Sequence, residues 1–126
     1  MNRDVELPSN WGRQFSSQDP LVGALANDIE SRYPGHVVAV NKEVTTPNGN
    51  VVTEFDMETQ NAVIQVKSGG GKGLAKQILR TQTITDKPVI GYGPNLKPSV
   101  VRQIQREGNL VTTERDVLLD VIQPDP

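Results

Sequence analysis

Residues 54–73, EFDMETQNAVIQVKSGGGKG, decide the fold of this chain. They contain two short runs in which apolar and polar residues alternate, separated by Thr59 and Gln60. Alternation with a period of two is typical of β-strands, and a short connection between two such runs is typical of an antiparallel hairpin. The glycine-rich segment SGGGKG ends the second run. We therefore expect a β-hairpin followed by a loop.

The polar positions of this hairpin carry two acids, an amide and a lysine. A two-residue turn would place Glu54 opposite Gln65 and Asp56 opposite Val63. Four polar side chains then share one face of the hairpin: Glu54, Asp56, Gln65 and Lys67. The alternate positions of the first strand are expected to face the core together: Val51, Thr53, Phe55 and Met57. A three-residue turn would divide the polar set between two faces.

The chain before the hairpin predicts a helix and a further strand. Asp19 followed by proline is a typical helix start, and Pro34 with the next glycine ends that helix. Residues 36–46 are rich in valine and predict a strand, and the Asn-Gly pair within residues 47–50 predicts a tight turn into the strand at 51–58.

The chain after residue 60 alternates strands and helices. The predicted elements are a strand at 61–67, a helix after 73, a strand at 87–92, a helix at 99–107, a strand at 110–112 and a short last helix. The complete order is αβββαβαβα. This order predicts an α/β fold with a mixed sheet, in which antiparallel hairpins are joined to a parallel crossover part and helices flank the sheet.

Length and composition limit the classes of function. With 126 residues the chain is expected to form one domain at 19–126, after an irregular segment at 1–18. No cysteine occurs, which excludes disulfides and thiolate metal sites. The sequence contains no signal peptide pattern and no membrane-spanning run. The net charge of −2 is unlike that of a general nucleic-acid coat protein, so any phosphate binding must be local.

Carboxylates beside an ammonium group are suited to metal-assisted attack on a phosphodiester. Carboxylates hold Mg²⁺, and a lysine stabilises developing negative charge or orients water. Lys72, Lys76 and Arg80 recur at four-residue steps on one face of the second predicted helix, where they are placed to contact a phosphate backbone. A hairpin with a solvated polar face shows the same residue types, so spacing alone leaves both readings open.

Asp56 followed by Gln65-Val66-Lys67, in the second and third strands, resembles the PD-(D/E)xK nuclease superfamily of restriction-endonuclease-like proteins. The resemblance implies a divalent metal, with Mg²⁺ favoured and Mn²⁺ or Zn²⁺ as alternatives. It implies that Asp56 is a metal ligand, that Gln65 stands in place of the second metal-binding acid, and that Lys67 is catalytic. Glu30 corresponds to an additional acid on the first helix. Gln65 replaces an acid of the family motif, and Glu54 is expected to supply the missing charge.

Two segments, EFDMET and IQVKSGGGKG, with Gln77 and Arg80 downstream, are similar to nuclease domains at the C-termini of bacterial contact-dependent growth inhibition toxins. The similarity implies a domain that is delivered into a neighbouring bacterium, cleaves tRNA or DNA in its cytoplasm and is neutralised by an immunity protein. Of these activities a tRNase is favoured, and the domain is expected to be monomeric. Expected substrate-binding residues are Lys72, Lys76, Gln77 and Arg80. The alternatives are a DNA endonuclease or junction resolvase of the same fold, and a catalytically inactive nuclease-fold binding module.

Overall fold

A computed structural model describes residues 14–125. The elements are α1 (Pro20–Arg32), β1 (Val37–Thr45), β2 (Val51–Thr59), β3 (Val63–Val66), α2 (Leu74–Gln82), β4 (Val89–Tyr92), α3 (Pro98–Arg106), β5 (Leu110–Thr112) and α4 (Arg115–Val121). Asp19 caps α1, because its carboxylate accepts a hydrogen bond from the Leu21 N–H. Residues 14–18 form no helix or strand, and residues 1–13 of the predicted irregular segment lie outside the described residues.

The five strands form one sheet in the order β1-β2-β3-β4-β5. Strands β1, β2 and β3 run antiparallel, whereas β3, β4 and β5 run parallel to each other. The predicted α/β class with a mixed sheet is therefore confirmed. The Asn-Gly turn between β1 and β2 forms as expected, with Gly49 at a φ of 87°.

Helices cover both faces of the sheet and enclose a separate core on each. On one face α1 and α4 pack on Met57, Ile64 and Val66. On the other face α2 and α3 pack on Phe55 and Val63. Since alternate residues of a regular strand share a face, Phe55 and Met57 were expected together. That prediction is wrong, because the two side chains enter different cores.

The change of face occurs at one position across the β1/β2 pair. Lys42 lies opposite Phe55 and Val40 opposite Met57, so Asn41 and Asp56 lie between these two pairs. Asn41 has a φ of 51°, in the left-handed region that asparagine tolerates better than most residues. In both strands the side chains therefore change to the opposite face of the sheet at the level of Asp56.

The β2/β3 turn differs from the predicted one. Thr59 N–H donates to the Ala62 carbonyl, so Gln60 and Asn61 form the two-residue loop. The observed register pairs Met57 with Ile64, whereas the prediction of Glu54 opposite Gln65 is two residues out of register. The Thr59 hydroxyl fixes this turn by donating to Asn61 Oδ1 and to the Ala62 carbonyl. A local side-chain bond thus decides the register.

At this end of the sheet a buried carboxylate joins three segments. Glu58 accepts hydrogen bonds from Lys87 Nζ at 2.7 Å and from Lys42 Nζ at 3.3 Å. Lys87 Nζ also donates to the Thr59 carbonyl at 2.8 Å. Burial alone would raise the pKa of Glu58, but the hydrogen bonds from the two lysines outweigh burial and lower this pKa below its usual value.

Glu58→Gln is expected to lower the free energy of unfolding by about 1–3 kcal/mol near neutral pH, because two ammonium groups lose their carboxylate partner. A lowered pKa gives stability that is present above the unfolded-state pKa and is lost as the pH falls through the folded-state pKa. The difference between wild type and variant should therefore shrink on acidification in denaturant titrations. Glu107→Gln, at an exposed acid, is the control. A difference independent of pH would contradict the role given to the Glu58 charge.

Candidate functional site

The site begins where β2 and β3 part. Their ladder pairs Glu58 with Val63 and Met57 with Ile64. Beyond these pairs side chains span the gap: the Asp56 N–H donates to Gln65 Oε1 at 3.0 Å, and the Val66 N–H donates to Asp56 Oδ2 at 2.8 Å. The two strands are thus connected through one amide and one carboxylate.

Asp56 stands beside a second acid. The Glu54 carboxyl lies within hydrogen-bonding reach of the Asp56 carboxyl. Burial is the main cause that raises the pKa of Asp56 from 3.8 to about 6, and the charge of Glu54 adds to the rise. The Val66 N–H and the Lys67 charge act in the opposite direction. A carboxyl group with such a pKa exchanges its proton close to neutral pH, which is unusual for aspartate and typical of functional sites.

Glu54 lines a cleft of about 910 Å³, whose other walls are β1 and the segment before α1. Its lining residues are Ser16, Ser17, Gln18, Asp19, Asn41, Glu43 and Glu54. Glu43 lies directly opposite Glu54 in the β1/β2 pair, where two like charges destabilise a sheet. The cleft therefore concentrates acceptor oxygens and negative charge next to the Glu54/Asp56 pair.

The wall of the cleft at residues 16–19 is held by side chains from two elements. The Ser17 hydroxyl donates to Asn41 Oδ1 at 2.6 Å. Asn27 of α1 accepts from the Phe15 N–H and donates to the Phe15 carbonyl. These bonds tie the segment to β1 and to α1, so the cleft has a fixed wall on the side opposite the acids.

Gln65, predicted as a metal ligand, is fully buried and both atoms of its amide group are bonded. Its Oε1 accepts the Asp56 N–H, and its Nε2 donates to the Glu54 carbonyl at 2.8 Å and to Thr81 Oγ1 at 2.8 Å. Thr81 belongs to α2, so the Gln65 side chain extends toward that helix. The structure thus brings Gln65 to the acids as a partner of their backbone.

Glu30 does not join the acid pair. It is buried near the end of α1, where its Oε2 accepts the Gly35 N–H at 3.1 Å. Ten residues separate it from the start of the helix at Pro20, a distance of about 15 Å at the usual helical rise. The cleft with Glu54 lies at that first end. The prediction that Glu30 contributes to the same site is therefore not supported by its position.

Lys67 directly follows β3, and its N–H donates to the Tyr92 carbonyl. Its side chain is half-buried, and its charge lowers the pKa of Asp56. Among the described residues no ion pair within 4 Å joins Lys67 to Glu54 or Asp56, so its catalytic role stays a prediction.

The predicted substrate-binding residues lie on and just before α2. Lys72, Lys76 and Arg80 are exposed, and Gln77 is half-buried. Lys72 and Lys76 line a shallow groove of about 320 Å³ between the start of α2 and α3. Because α2 begins after the loop that leaves β3, the first of these cations stands at the same end of the sheet as Lys67.

Sequence reasoning missed several residues that shape the site. Glu43 was not among the expected site residues, although it lies opposite Glu54 in the β1/β2 pair. Thr81 falls on the buried stripe of α2 with Leu74 and Ile78, and this helical spacing is a readable signal. No sequence signal for the contact between Ser17 and Asn41 was available.

A divalent metal fits these donor groups only in part. Within residues 14–125, no group of three or more His, Cys, Asp or Glu side chains could hold a metal ion. Glu54 and Asp56 do present two carboxyl groups side by side. Mg²⁺ commonly takes one or two protein carboxylates and completes its coordination with water and phosphate oxygens. The two acids therefore fit Mg²⁺ as a partial set of ligands.

Comparison of the chain with models of protein families, with curated proteins and with solved structures gave no match. Among the described residues, no helix combines the length and apolar character needed to cross a bilayer.

Asp56→Asn is expected to stabilise the protein by about 1 kcal/mol near neutral pH, a value reduced from the full pKa shift because Asp56 is partly exposed. The amide oxygen can still accept the Val66 N–H, and the charge beside Glu54 is removed. With a pKa raised from 3.8 to about 6, the favourable contribution of protonated Asp56 is complete below pH 3.8 and is lost as the pH rises through 6. The advantage of the variant should therefore grow over this interval in denaturant titrations.

Glu107→Gln is again the control for removing one exposed negative charge. A destabilised Asp56→Asn variant at neutral pH would show that the aspartate charge supports the fold.

Proposed function

We propose that this protein is a metal-dependent nuclease that hydrolyses phosphodiester bonds at the Glu54/Asp56 pair. One observation carries the proposal: two adjacent carboxyl groups, one of them with a pKa raised to about 6, stand beside Lys67 where β2 and β3 part. Raised pKa values of paired acids indicate sites at which a cation or a transferred proton is expected.

Glu54 and Asp56 are the residues that would hold Mg²⁺. Such an ion supplies Lewis-acid polarisation of a phosphoryl oxygen and activation of water. Asp56 must lose its proton to act as a ligand, so binding competes with protonation and should strengthen as the pH rises through about 6. The Val66 N–H donates to Asp56 Oδ2 at 2.8 Å and so fixes one oxygen of this carboxylate.

Lys67 provides the positive charge next to the acids. In phosphodiester hydrolysis, negative charge increases on the phosphoryl oxygens in the transition state, and a preorganised ammonium group stabilises it. Lys72, Lys76 and Arg80, with Gln77, would contact the substrate backbone away from the reacting phosphate. The chain as a whole, with a net charge of −2, would not attract a phosphate backbone, so these local cations would supply the attraction.

The restriction-endonuclease-like reading of the fold supports this assignment. Asp56 lies in β2 and Lys67 directly follows β3, and a helix precedes and follows these strands. From the toxin resemblance we propose tRNA as the favoured substrate, with an immunity protein as partner and the cytoplasm of a target bacterium as the place of action. DNA is the alternative substrate of the same chemistry.

A second candidate function is favoured by one specific observation. The amide of Gln65, which stands in place of an acidic ligand, is buried and bonded at both atoms. A nuclease fold that has lost a ligand is a candidate binding module without catalytic activity. This reading predicts binding of nucleic acid or protein without turnover at any divalent ion concentration.

The test is cleavage of total tRNA and of plasmid DNA by the purified protein, with Mg²⁺, Mn²⁺, Zn²⁺ or EDTA. Asp56→Asn, Glu54→Gln and Lys67→Met should each lower the rate by about a hundredfold or more, because each removes a ligand or the stabilising charge. Arg106→Met, on an exposed cation of α3, is the control. Substrates that stay intact with every ion, while binding persists, would favour the binding module.

Lys72→Gln, Lys76→Gln and Arg80→Gln should weaken substrate binding and leave kcat nearly unchanged. Each neutralised phosphate contact is expected to reduce the slope of log affinity against log salt by about 1. Measurements of KM and of binding over a range of salt concentrations check this. An unchanged salt slope in all three variants would show that the substrate does not follow α2.

A further inference from the structure

We propose that Gln65 is a positioning residue, which holds the backbone of Glu54 and Asp56, and that it is not a metal ligand. The effect of Gln65 on catalysis rests on the proposed nuclease function. Its effect on the backbone of Glu54 and Asp56 does not, since these contacts involve only this chain.

The oxygen and the nitrogen of the Gln65 amide both have hydrogen-bond partners within this chain. Oε1 accepts the Asp56 N–H at 3.0 Å, and Nε2 donates to the Glu54 carbonyl at 2.8 Å. These two backbone groups flank Phe55, so a single side chain holds both ends of the segment that carries the acid pair. The second N–H of the amide donates to Thr81 Oγ1 at 2.8 Å, which ties the arrangement to α2.

The two backbone groups that face the gap between β2 and β3 require an amide as their partner. The Asp56 N–H needs an acceptor, and the Glu54 carbonyl needs a donor two residues away. A glutamine satisfies both groups at once and without charge. A carboxylate accepts only, so it would face the Glu54 carbonyl with a second negatively polarised oxygen. The residue that departs from the family motif is thus the one that the backbone requires here.

Ligation by Gln65 would remove its structural role. Its side chain is fully buried, and its oxygen is directed at the Asp56 N–H. Turning that oxygen toward a metal would leave the partly buried Asp56 N–H without its partner, which native structures avoid. The Asp56 carboxylate instead reaches its position through its own bond to the Val66 N–H. Gln65 therefore sets where the acids stand and does not add to their ligand oxygens.

The decisive variant is Gln65→Glu. It restores the acid of the family motif, so a ligand role predicts Mg²⁺ affinity and cleavage that are equal to or better than those of wild type. The positioning role predicts the opposite: Mg²⁺ affinity and kcat fall by about tenfold or more, as for other groups that orient ligands. KM for the nucleic acid should stay unchanged, because the substrate cations are not involved.

Gln60→Glu is the matched control. Gln60 Nε2 also donates to a backbone carbonyl, that of Gly35, at 2.8 Å, so this variant loses the same kind of bond and gains the same charge at the β2/β3 turn. It should leave Mg²⁺ affinity, measured by titration calorimetry, and kcat within about twofold of wild type, the range of a surface change outside the site. Equal losses in both variants would overturn the positioning role.

Amide hydrogen exchange tests the contact without any assay of activity. Gln65→Met removes the acceptor of the Asp56 N–H and should speed exchange of that amide by about tenfold or more, as for a lost buried hydrogen bond. Gln65→Glu keeps an acceptor and should retain the protection. If Gln65→Met fails to fold, Thr81→Val serves instead: it leaves the bonds of Gln65 to Glu54 and Asp56 in place and removes the Thr81 hydroxyl, with its bonds to Gln65, to the Gln77 carbonyl and to Thr53 Oγ1. It should lower Mg²⁺ affinity less than Gln65→Glu does.

The outcomes separate the two proposals. A wild-type protein that neither binds Mg²⁺ nor cleaves nucleic acid would overturn the nuclease, and exchange at Asp56 would still decide whether Gln65 holds this segment. Unchanged exchange at Asp56 in a folded Gln65→Met variant would overturn the positioning role, whatever the activity.

Discussion

Backbone N–H and C=O groups inside a protein need hydrogen-bond partners, and β2 and β3 form ladder pairs at Glu58/Val63 and Met57/Ile64 only. Past these pairs the strands part, and Gln65 and Asp56 supply the missing partners with their side chains. The position of the acid pair follows from this separation. If the ladder had continued, the Val66 N–H would have bonded to a backbone carbonyl of β2, and the Asp56 carboxylate would have had no reason to reach it.

The same level of the sheet is where β1 and β2 change their side-chain pattern. Asn41 takes a left-handed conformation opposite Asp56, so Phe55 enters the α2 core while Met57 enters the α1 core. A rotated hairpin can therefore bury apolar residues on both sides and still leave Glu54 at the open cleft. This local irregularity carries a cost, since Glu54 faces Glu43 across the strands and lies beside Asp56. The Val66 N–H and the Lys67 charge offset only part of this cost, since the pKa of Asp56 remains raised to about 6.

The α/β class, the mixed sheet and the start of α1 could be predicted because each depends on local patterns: periodicity, the Asp19 cap and the Asn-Gly turn. The β2/β3 register could not, because the Thr59 hydroxyl moves the loop by one residue and strand alternation does not report such a bond. The pairing of Glu54 with Asp56 was found because it requires only a spacing of two. The roles of Gln65 and Thr81 could not be predicted, because they depend on the distance between β2 and β3, which is set by the tertiary structure.

Electrostatics then limit how a polyanion can approach the proposed site. The charged residues that line the cleft are all acids, Asp19, Glu43 and Glu54, so a phosphate chain entering there would be repelled. Exposed cations lie instead in the loop after β3 and along α2. On the proposed function, a substrate that follows this side would bring one phosphate to Lys67 and keep the rest of its backbone away from the cleft. The local placement of positive charge therefore favours an approach in which only the reacting phosphate reaches the acid pair.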